Sequence, residues 1–295
     1  MVSVIDRPSE SPAEPASPPR RSKCALVTGA STGIGRVFAA KLAAKGYDLV
    51  VVARDEARLR TLATDLTAAH GVNVDVLVAD LTDTAALRTI ELRLANEPAI
   101  DLLVNNAGFG SAGPFHTLDI EAEERQVRLN VLALVRLTRA ALPGMVLRGR
   151  GGVINVSSVA GFVPGINGAT YNATKAYVTS FTESLAGELS GTGVRVQALC
   201  PGFTRTEFHR RRRRAALRRP PGLTRTEFQE RAGIDQDRVP AFAWDSAETV
   251  VDASLKALNR GTVICIPTFK YRFLVGLIRW VPRWFVRFAT RMMGG

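Results

Sequence analysis

A glycine-rich turn between a short apolar run and a helical pattern restricts the fold of this chain more than any other feature. The apolar run KCALVTG covers residues 23–29, the turn TGASTGIG covers 28–35, and the helical pattern continues to Gly46. Glycines let the backbone approach a pyrophosphate closely, and the N–H groups and positive dipole end of the helix bind it. This placement predicts the first strand, turn and helix of a nucleotide-binding α/β unit, with the nucleotide at Gly29, Ser31, Thr32, Gly33, Ile34 and Gly35.

Short apolar, β-branched runs alternate with helical patterns along most of the chain. Further strands are expected at 48–53, 73–79, 100–104, 152–156, 194–199 and 262–266, and helices at 56–70, from Asp83, at 119–147 and at 244–259. This alternation is typical of α/β proteins whose parallel sheet is covered on both faces. A chain of 295 residues with 46% hydrophobic content can bury one sizeable core, so we expect a single domain over 23–268.

The end of the second strand, Ala53-Arg54, bears on the choice of coenzyme. A carboxylate at this edge would bind the ribose 2′-OH of NAD, whereas a small residue followed by Arg suits the 2′-phosphate of NADP. The alternative is that Arg54 only caps the edge of the sheet. After the third strand, the Asp80 carboxylate could accept a hydrogen bond from the adenine amine, and the next residue, Leu81, would lie beside the adenine. We therefore expect NADP(H) and regard NAD(H) as the weaker candidate.

Two asparagine-containing segments follow. The run NNAG at 105–108 comes after the fourth strand, and its small residues leave room for a ring while its amides can tie neighbouring loops together. A simple polar turn would have the same sequence. Farther along, Asn130 lies among apolar neighbours, where it can bend the helix or hold a water through its amide, or merely lie on the surface. The residues expected near the cofactor are Asn106, Ala107 and Gly108.

The stretch from Gly152 to Lys175 carries the chemistry, and it reads as a buried strand, a loop and the first turns of a helix. Ser157 and Ser158 end the strand, at the edge where open α/β sheets bind ligands. Tyr171 and Lys175 are four residues apart, so both side chains leave the same face of the helix. A neighbouring ammonium favours the phenolate and lowers the phenol pKa from about 10 toward the working range. The alternative is an ordinary helix with a surface Tyr and a solvated Lys.

The sixth strand ends in the loop CPGFTRT at 200–206, and an unusual duplication follows. Residues 201–208, PGFTRTEF, recur as PGLTRTEF at 221–228, with seven of eight positions identical. We interpret this as a tandem duplication that inserted a segment around 209–228 into a loop, because loop-closure entropy grows slowly with length. A solenoid needs more repeats than two and is rejected. The run of arginines within the insertion is expected to be exposed and disordered.

The net charge of +12 is concentrated in two segments. Residues 210–219 hold seven Arg, residues 270–291 hold six basic residues, and neither segment holds an acid. Because a nucleic-acid-binding protein spreads its charge over a folded face, this local basicity argues against specific nucleic-acid binding. The tail, 269–295, combines regularly spaced Arg with Trp and Phe, which is typical of a helix that lies on an anionic membrane surface. The alternative, given equal weight, is packing on the substrate pocket or on a second subunit of a homo-oligomer.

The N-terminus and the cysteines bear on location. Residues 1–22 are rich in Pro, Ser and acids and lack the apolar core of a secretory signal, so we expect a disordered leader. Cys24, Cys200 and Cys265 are far apart in apolar runs and indicate buried free thiols in a reducing compartment, with no metal site visible. These features predict a cytoplasmic protein, with the basic tail as a peripheral contact at the inner face of the membrane.

Several motifs occur together in a fixed order: TGxxxGIG at 28–35, NNAG at 105–108, Asn130, Ser158, Tyr171-x-x-x-Lys175 and PGxxxT at 201–206. This set resembles the short-chain dehydrogenase/reductase family over about 23–206 and again over 244–266. The resemblance implies a doubly wound (Rossmann) seven-stranded parallel sheet with helices on both faces, in a single domain. It also implies a nicotinamide cofactor across the strand edge and hydride transfer between the cofactor and a carbonyl or carbinol carbon.

The resemblance also implies roles for single residues. Tyr171 would be the general acid in reduction, Lys175 would lower its pKa and bind the nicotinamide ribose, and Ser158 would hold the carbonyl oxygen. Asn130 would hold a water in a proton relay, and the run 105–108 would line the adenine side. The loop after the sixth strand would clasp the nicotinamide amide through Pro201, Gly202, Thr204 and Thr206. Thr206 is preferred to its duplicate Thr226 because it directly follows the strand, and 203–240 becomes a substrate lid that the duplication alters.

We therefore expect an NADP(H)-dependent oxidoreductase acting on the keto or hydroxy group of a small lipophilic substrate, first of all a long 3-oxoacyl chain. The Phe-rich lid and the apolar, cationic tail motivate that substrate. A steroid or retinoid dehydrogenase is the alternative within the class. Outside it, the alternative is a cofactor-binding but inactive protein attached to a membrane through its basic segments. The intact Ser158, Tyr171 and Lys175 argue against that alternative.

Overall fold

A seven-stranded parallel sheet forms the centre of the protein. The computed structural model describes residues 22–205 and 240–281. The strands, in chain order, are β1 (Cys24–Thr28), β2 (Asp48–Ala53), β3 (Val74–Val78), β4 (Leu102–Asn105), β5 (Gly151–Val156), β6 (Val194–Leu199), β7 (Thr204–Arg205), β8 (Asp245–Ser246) and β9 (Ile264–Cys265). The sheet order is β3-β2-β1-β4-β5-β6-β9, while β7 pairs separately with β8. The predicted fold class is confirmed, and the order reverses between β1 and β4, where such sheets bind ligands.

Helices cover both faces of this sheet. Over the described ranges they are α1 (Gly33–Ala43), α2 (Glu56–His70), α3 (Thr84–Ala95), α4 (Ile120–Val127), α5 (Leu134–Leu147), α6 (Ala169–Glu188), α7 (Ala247–Asn259) and α8 (Phe269–Trp280). The core on one face is closed by α1, α2 and α7, and the core on the other face by α3, α5 and α6. The strands of the large sheet are mostly apolar because their residues alternate between these two cores. In β2, for example, Val51 belongs to the first core, whereas Val50 and Val52 belong to the second.

Capping residues set the boundaries of the helices near the sheet edge. The carboxylate of Asp55 accepts a hydrogen bond from the N–H of Arg58 at 3.0 Å and starts α2. Asp83 accepts one from the N–H of Ala86 at 2.8 Å and starts α3, so the predicted N-cap is confirmed. Each cap satisfies one of the N–H groups that a helix leaves unpaired. At the other end of α2, Gly71 adopts a left-handed φ of +66° and ends the helix.

The single helix predicted over 119–147 is wrong in one respect. Helices α4 and α5 are separated by a π-helical segment, Arg128–Ala133, and Asn130 lies within it. The side-chain amide of Asn130 accepts a hydrogen bond from the N–H of Phe109 at 3.1 Å and donates one to its carbonyl at 2.8 Å. A wider turn at this position carries the buried amide to the neighbouring loop, and such segments often occur at functional sites. By length and composition 120–147 could cross a membrane, but Leu137, Ala141 and Met145 in its second half are buried in the core of the domain.

The described part of the tail is folded against the domain. Tyr271 and Val275 on α8 are buried, so this stretch packs on the fold, as one of the two alternatives for the tail proposed. The leader up to residue 21, the insertion around 209–228 with its arginines, Thr206 and Thr226, and the tail beyond Val281 lie outside the described residues.

Gly29→Ala is expected to destabilise the protein more than Gly71→Ala. Both glycines have a φ of +66°, so the backbone strain of a Cβ, about 1–2 kcal/mol, is common to both variants. A Cβ at Gly71 would meet open space, whereas one at Gly29 would lie 2.8 Å from Nδ2 of Asn106 and 3.0 Å from the Cα of Ala107. Urea denaturation should therefore show an additional loss of about 1–3 kcal/mol in the unfolding free energy of Gly29→Ala. Equal losses would contradict the close approach of these two loops.

Candidate active site

The threonine at the end of β1 joins the two strands that flank the switch point. The hydroxyl of Thr28 accepts hydrogen bonds from the N–H groups of Asn106 at 2.9 Å and Ala107 at 3.0 Å, and it donates one to the carbonyl of Val104 at 3.3 Å. Sequence reasoning gave Thr28 no role. A polar residue that ends an otherwise apolar, buried strand is the signal that could have found it.

Asn106 ties the NNAG loop to the glycine turn. Its side-chain Nδ2 donates to the carbonyls of Thr28 at 2.9 Å and Gly29 at 3.2 Å. A Cβ at Gly35 would overlap both the Gly29 carbonyl and this amide, so the glycine is needed for space. Asn106 therefore acts as the tie between loops that the sequence suggested, and its amide donors are already used within the protein.

The start of α1 has the features of an anion-binding site. Thr32 precedes the helix in an extended conformation, its side chain makes no capping hydrogen bond, and the first turn contains no acid. The first N–H groups and the positive dipole end of α1 are thus not neutralised by a side chain of the first turn. Ser31 and Thr32 are accessible to solvent, Gly33 has a φ of +59°, and Ile34 packs on the core. These residues fit the pyrophosphate of a dinucleotide.

Arg54 and Asp80 come together at the ends of β2 and β3. Nη1 of Arg54 lies 3.7 Å from Oδ2 of Asp80, and both side chains are about half exposed. Oδ1 of Asp80 also accepts hydrogen bonds from the N–H of Thr82 at 2.9 Å and its hydroxyl at 2.7 Å. Burial raises the pKa of Asp80, but the hydrogen bonds from Thr82 and the charge of Arg54 outweigh it and lower the pKa overall. Arg54 and Asp80, which the sequence predicts to bind different parts of the nucleotide, therefore form an ion pair with each other. Leu81, the residue after Asp80, is buried in the core.

Ser158 and Tyr171 meet at the carboxyl edge of β5. Their hydroxyl groups share a hydrogen bond. Oγ of Ser158 also accepts from the N–H of Ala160 at 3.1 Å and lies 3.5 Å from the carbonyl of Pro201. The backbone of Gly110 lies against the Tyr171 ring, since a Cβ there would be 2.9 Å from Cδ2. Sequence reasoning missed Gly110, whose importance depends on a contact between distant loops.

Lys175 lies beneath this pair, almost wholly buried. Its Nζ donates a hydrogen bond to the carbonyl of Val156 at 2.8 Å and lies 5.7 Å from the centroid of the Tyr171 ring. A Cβ at Gly161 would lie 2.8 Å from the Lys175 carbonyl, so a glycine there allows the loop to approach α6. The structure therefore brings the predicted phenol, ammonium and serine hydroxyl together at one edge.

The predicted effect of Lys175 on Tyr171 is wrong for the protein by itself. Burial raises the pKa of Tyr171 to about 12, and the hydrogen bond with Ser158 lowers it only in part. Burial also lowers the pKa of Lys175 to about 8. Loss of water disfavours both the phenolate and the ammonium, and at these distances that effect exceeds the attraction between the two charged forms. At neutral pH Tyr171 is thus protonated.

Asn130 reaches the same site from the π-helical segment. Its Nδ2 donates to the hydroxyl of Thr174 at 3.2 Å as well as to the carbonyl of Phe109, so both amide hydrogens have protein partners. A Cβ at Gly108 would lie 2.9 Å from Oδ1 of Asn130 and 3.7 Å from Nζ of Lys175. Gly108 therefore leaves open the space between these two side chains. The amide hydrogens of Asn130 are not available for the predicted water.

The loop after β6 lies opposite Ser158. The carbonyl of Pro201 accepts a hydrogen bond from the N–H of Val159 at 3.0 Å. The hydroxyl of Thr204 donates to the carbonyl of Gly202 at 3.0 Å and is nearly buried, so it braces the loop from within. The ring of Tyr271, on α8, lies directly on Gly202, a contact that no sequence pattern indicated.

A hydrogen-bonded phenol and serine beside a buried lysine, at the edge where a glycine turn offers a pyrophosphate site, define a nicotinamide-dependent oxidoreductase of the Rossmann type. Residues 23–216 match the short chain dehydrogenase family, and the chain belongs to that family. The resemblance seen in the sequence is thereby confirmed, as is the enzyme class.

Three relatives illustrate the match. An NADP-dependent 3-hydroxy acid dehydrogenase of Salmonella typhi is 40% identical over 189 residues, which cover 62% of this chain and 73% of that protein. A very-long-chain 3-oxoacyl-CoA reductase of Laccaria bicolor is 36% identical over 202 residues, 67% of this chain and 60% of that protein. The solved structure of a short-chain dehydrogenase from Sphingobium yanoikuyae in complex with NADPH is 37% identical, with a TM-score of 0.74 over 88% of this chain and 97% of its own. The expectation of NADP(H) agrees with the first and third of these proteins.

Lys175→Met is expected to change how stability depends on pH between 7.5 and 9.5. The pKa of Lys175 is lowered to about 8 in the folded protein and is about 10.5 in the unfolded chain. Between these values the unfolded state binds more protons at this residue, so the contribution of Lys175 to the unfolding free energy rises with pH. Measured by urea denaturation, the difference between wild type and variant should shift in favour of the wild type by about 1–2 kcal/mol over this range.

Tyr171, whose pKa is raised to about 12, lowers stability only above about pH 10 and does not interfere in that window. If the difference in unfolding free energy between wild type and Lys175→Met stays constant from pH 7.5 to 9.5, burial does not lower the pKa of Lys175.

Proposed function

We propose that this protein is an NADPH-dependent reductase of a keto group on a lipophilic substrate, and that the preferred substrate is a long 3-oxoacyl chain. The observation that carries the proposal is the hydrogen-bonded pair of Ser158 and Tyr171 with Lys175 beneath it, beside the glycine turn. In the proposed reaction the bound nicotinamide supplies the hydride. The residues of the chain orient the carbonyl and supply the proton.

Reduction would use the proton that Tyr171 carries. The Tyr171 hydroxyl carries its proton at neutral pH and can donate it to the carbonyl oxygen, which Ser158 holds by a second hydrogen bond. Lys175 would bind the nicotinamide ribose. Its ammonium would stabilise the phenolate left after proton donation, because the site admits little water.

Arg54 supports the choice of NADPH. Its guanidinium is half exposed at the end of β2, next to the start of α1, where a 2′-phosphate would approach. Binding of that phosphate would compete with the 3.7 Å contact to Asp80, which a half-exposed ion pair permits at small cost. The NADP dependence of the Salmonella relative points the same way.

The surroundings of the site favour a lipophilic substrate. Exposed apolar side chains follow the strands that form the site: Phe115 after β4, Ile166 after β5, and Phe203 and Phe242 near the loop after β6. The N–H of Gly113 donates to the carbonyl of Asn167 at 2.9 Å and joins the first two of these loops. The reaction of the Laccaria relative on a very long acyl chain supports the 3-oxoacyl choice over a steroid or retinoid.

Wild type should oxidise NADPH faster with a long 3-oxoacyl thioester than with a steroid ketone or a short 3-oxo acid. Tyr171→Phe should lower kcat by about 10²–10⁴-fold, because it removes the proton donor, while the Kd of NADPH is retained. Tyr177→Phe is the matched control, since Tyr177 is 45% exposed farther along α6 and should leave turnover unchanged.

Preference for the steroid ketone would replace the 3-oxoacyl assignment. Tight NADPH binding by wild type without turnover of any ketone in the panel would favour the inactive, cofactor-binding alternative. Full activity of Tyr171→Phe would overturn the proposed mechanism.

We also propose that α8 attaches the protein to an anionic membrane surface from the cytoplasm. Four apolar side chains on α8, called here the apolar ridge, are 56–89% exposed and recur at helical spacing: Phe269, Phe273, Leu277 and Trp280. Residues 270–291 contain six basic residues and no acid, which complements anionic lipid headgroups. The three buried free cysteines suit a reducing compartment. A homo-oligomer in which a second subunit covers the apolar ridge is the competing arrangement.

Phe273→Ser/Leu277→Ser should weaken binding to phosphatidylserine-containing vesicles by about tenfold or more, because it removes apolar area from the ridge. The buried Tyr271 and Val275 are unchanged, so the thermal unfolding midpoint should stay the same. Leu92→Ser/Leu147→Ser is the control, since both residues are exposed apolar positions on other helices. Equal binding by both double variants would contradict the membrane proposal, and a loss of dimers in the first variant alone would favour the second subunit.

A further inference from the structure

Tyr271 connects the C-terminal helix to the loop expected to hold the nicotinamide. Its side chain is buried, and a Cβ at Gly202 would overlap its ring carbons. The structure gives Gly202 no left-handed φ. The glycine is therefore needed for space, and the group that takes this space is the aromatic ring of Tyr271.

The hydroxyl of Tyr271 bridges two segments that are far apart in sequence. It accepts a hydrogen bond from the N–H of Phe203 at 3.1 Å and donates one to the carbonyl of Ala243 at 2.7 Å. Burial raises the pKa of Tyr271, so the hydroxyl remains a donor at neutral pH. Since β7 pairs with β8 next to these positions, the bridge joins the chain segment that ends at residue 205 to the segment that begins at residue 240.

Neighbouring contacts hold Tyr271 itself in place. Nζ of Lys270 lies 2.7 Å from Oδ1 of Asp245, and the hydroxyl of Thr268 donates to Oδ2 of the same carboxylate at 3.0 Å. Asp245 is buried, and a buried carboxylate with both oxygens paired is costly to displace. The start of α8 is thus anchored through two residues that precede Tyr271.

We propose that Tyr271 is a positioning residue for the nicotinamide half of the cofactor. By holding the backbone of 201–203, it sets the distance between this loop and Ser158, whose hydroxyl lies 3.5 Å from the Pro201 carbonyl. The residues expected to bind the nicotinamide half are this loop and Tyr171, whereas those expected to bind the adenosine half are at α1 and the end of β2. The inference rests on the proposed function. It predicts that loss of the Tyr271 hydroxyl weakens the binding of the nicotinamide half of NADPH and not that of the adenosine half.

The test compares two ligands that differ only in the nicotinamide ring. The Kd values of NADPH and of 2′-phospho-ADP-ribose are measured by calorimetry for the full-length wild type, Tyr271→Phe and the control Tyr177→Phe. Tyr271→Phe keeps the ring over Gly202 but removes both hydrogen bonds of the hydroxyl. We expect the Kd of NADPH to rise about tenfold and that of 2′-phospho-ADP-ribose to change less than about twofold, because only the nicotinamide loop is loosened.

A general loss of folding would weaken both ligands equally, and that result would overturn the proposal, as would unchanged NADPH binding. Hydrogen exchange gives a second measurement: the amide of Phe203 should exchange faster in Tyr271→Phe than in wild type, and unchanged protection would also overturn the proposal. Failure of the wild type to bind either ligand would instead refute the proposed function, so the two failures are distinguishable.

Discussion

The site depends on one ammonium group that is buried between the end of β5 and the first turns of α6. Removing Lys175 from water is costly, and its hydrogen bond to the carbonyl of Val156 offsets that cost only in part, as the lowered pKa of the lysine indicates. The close approach of Gly161 to α6 serves this burial. The same loss of water keeps the phenol of Tyr171 protonated. Burial thus holds a protonated phenol and a weakly solvated cation side by side at this edge of the sheet.

The sequence predicted those parts of the structure that follow from local rules. The glycine turn at 28–35, the alternation of apolar runs and the N-cap at Asp83 each depend on residues within one or two turns of chain, and each is present as expected. The meeting of Ser158 and Tyr171 was also predictable, because both follow β5 within one loop and helix. Parallel strands end at a common edge, so polar residues that follow several strands must lie close together.

The features that sequence reasoning missed depend on pairs of residues that are distant in the chain. The π-helical segment exists because Asn130 pairs with the backbone of Phe109, which belongs to another loop. Arg54 binds Asp80 because β2 and β3 are neighbours in the sheet, and neither residue type reveals that order. The pKa of Tyr171 was expected to fall because a cation was known to be near. Its rise follows from burial, which becomes visible only when the whole site is packed.

The two faces of α8 face different environments. Tyr271 and Val275 are buried, with Tyr271 against the loop after β6, while Phe273 and Leu277 on the same helix are exposed. The ion pair between Lys270 and the buried Asp245 fixes the start of this helix on the domain. If the outer face rests on lipid, the inner face still holds the nicotinamide loop, and a lipophilic substrate that leaves the bilayer would meet the site at the same end of the molecule. Attachment and cofactor positioning would then depend on the same helix.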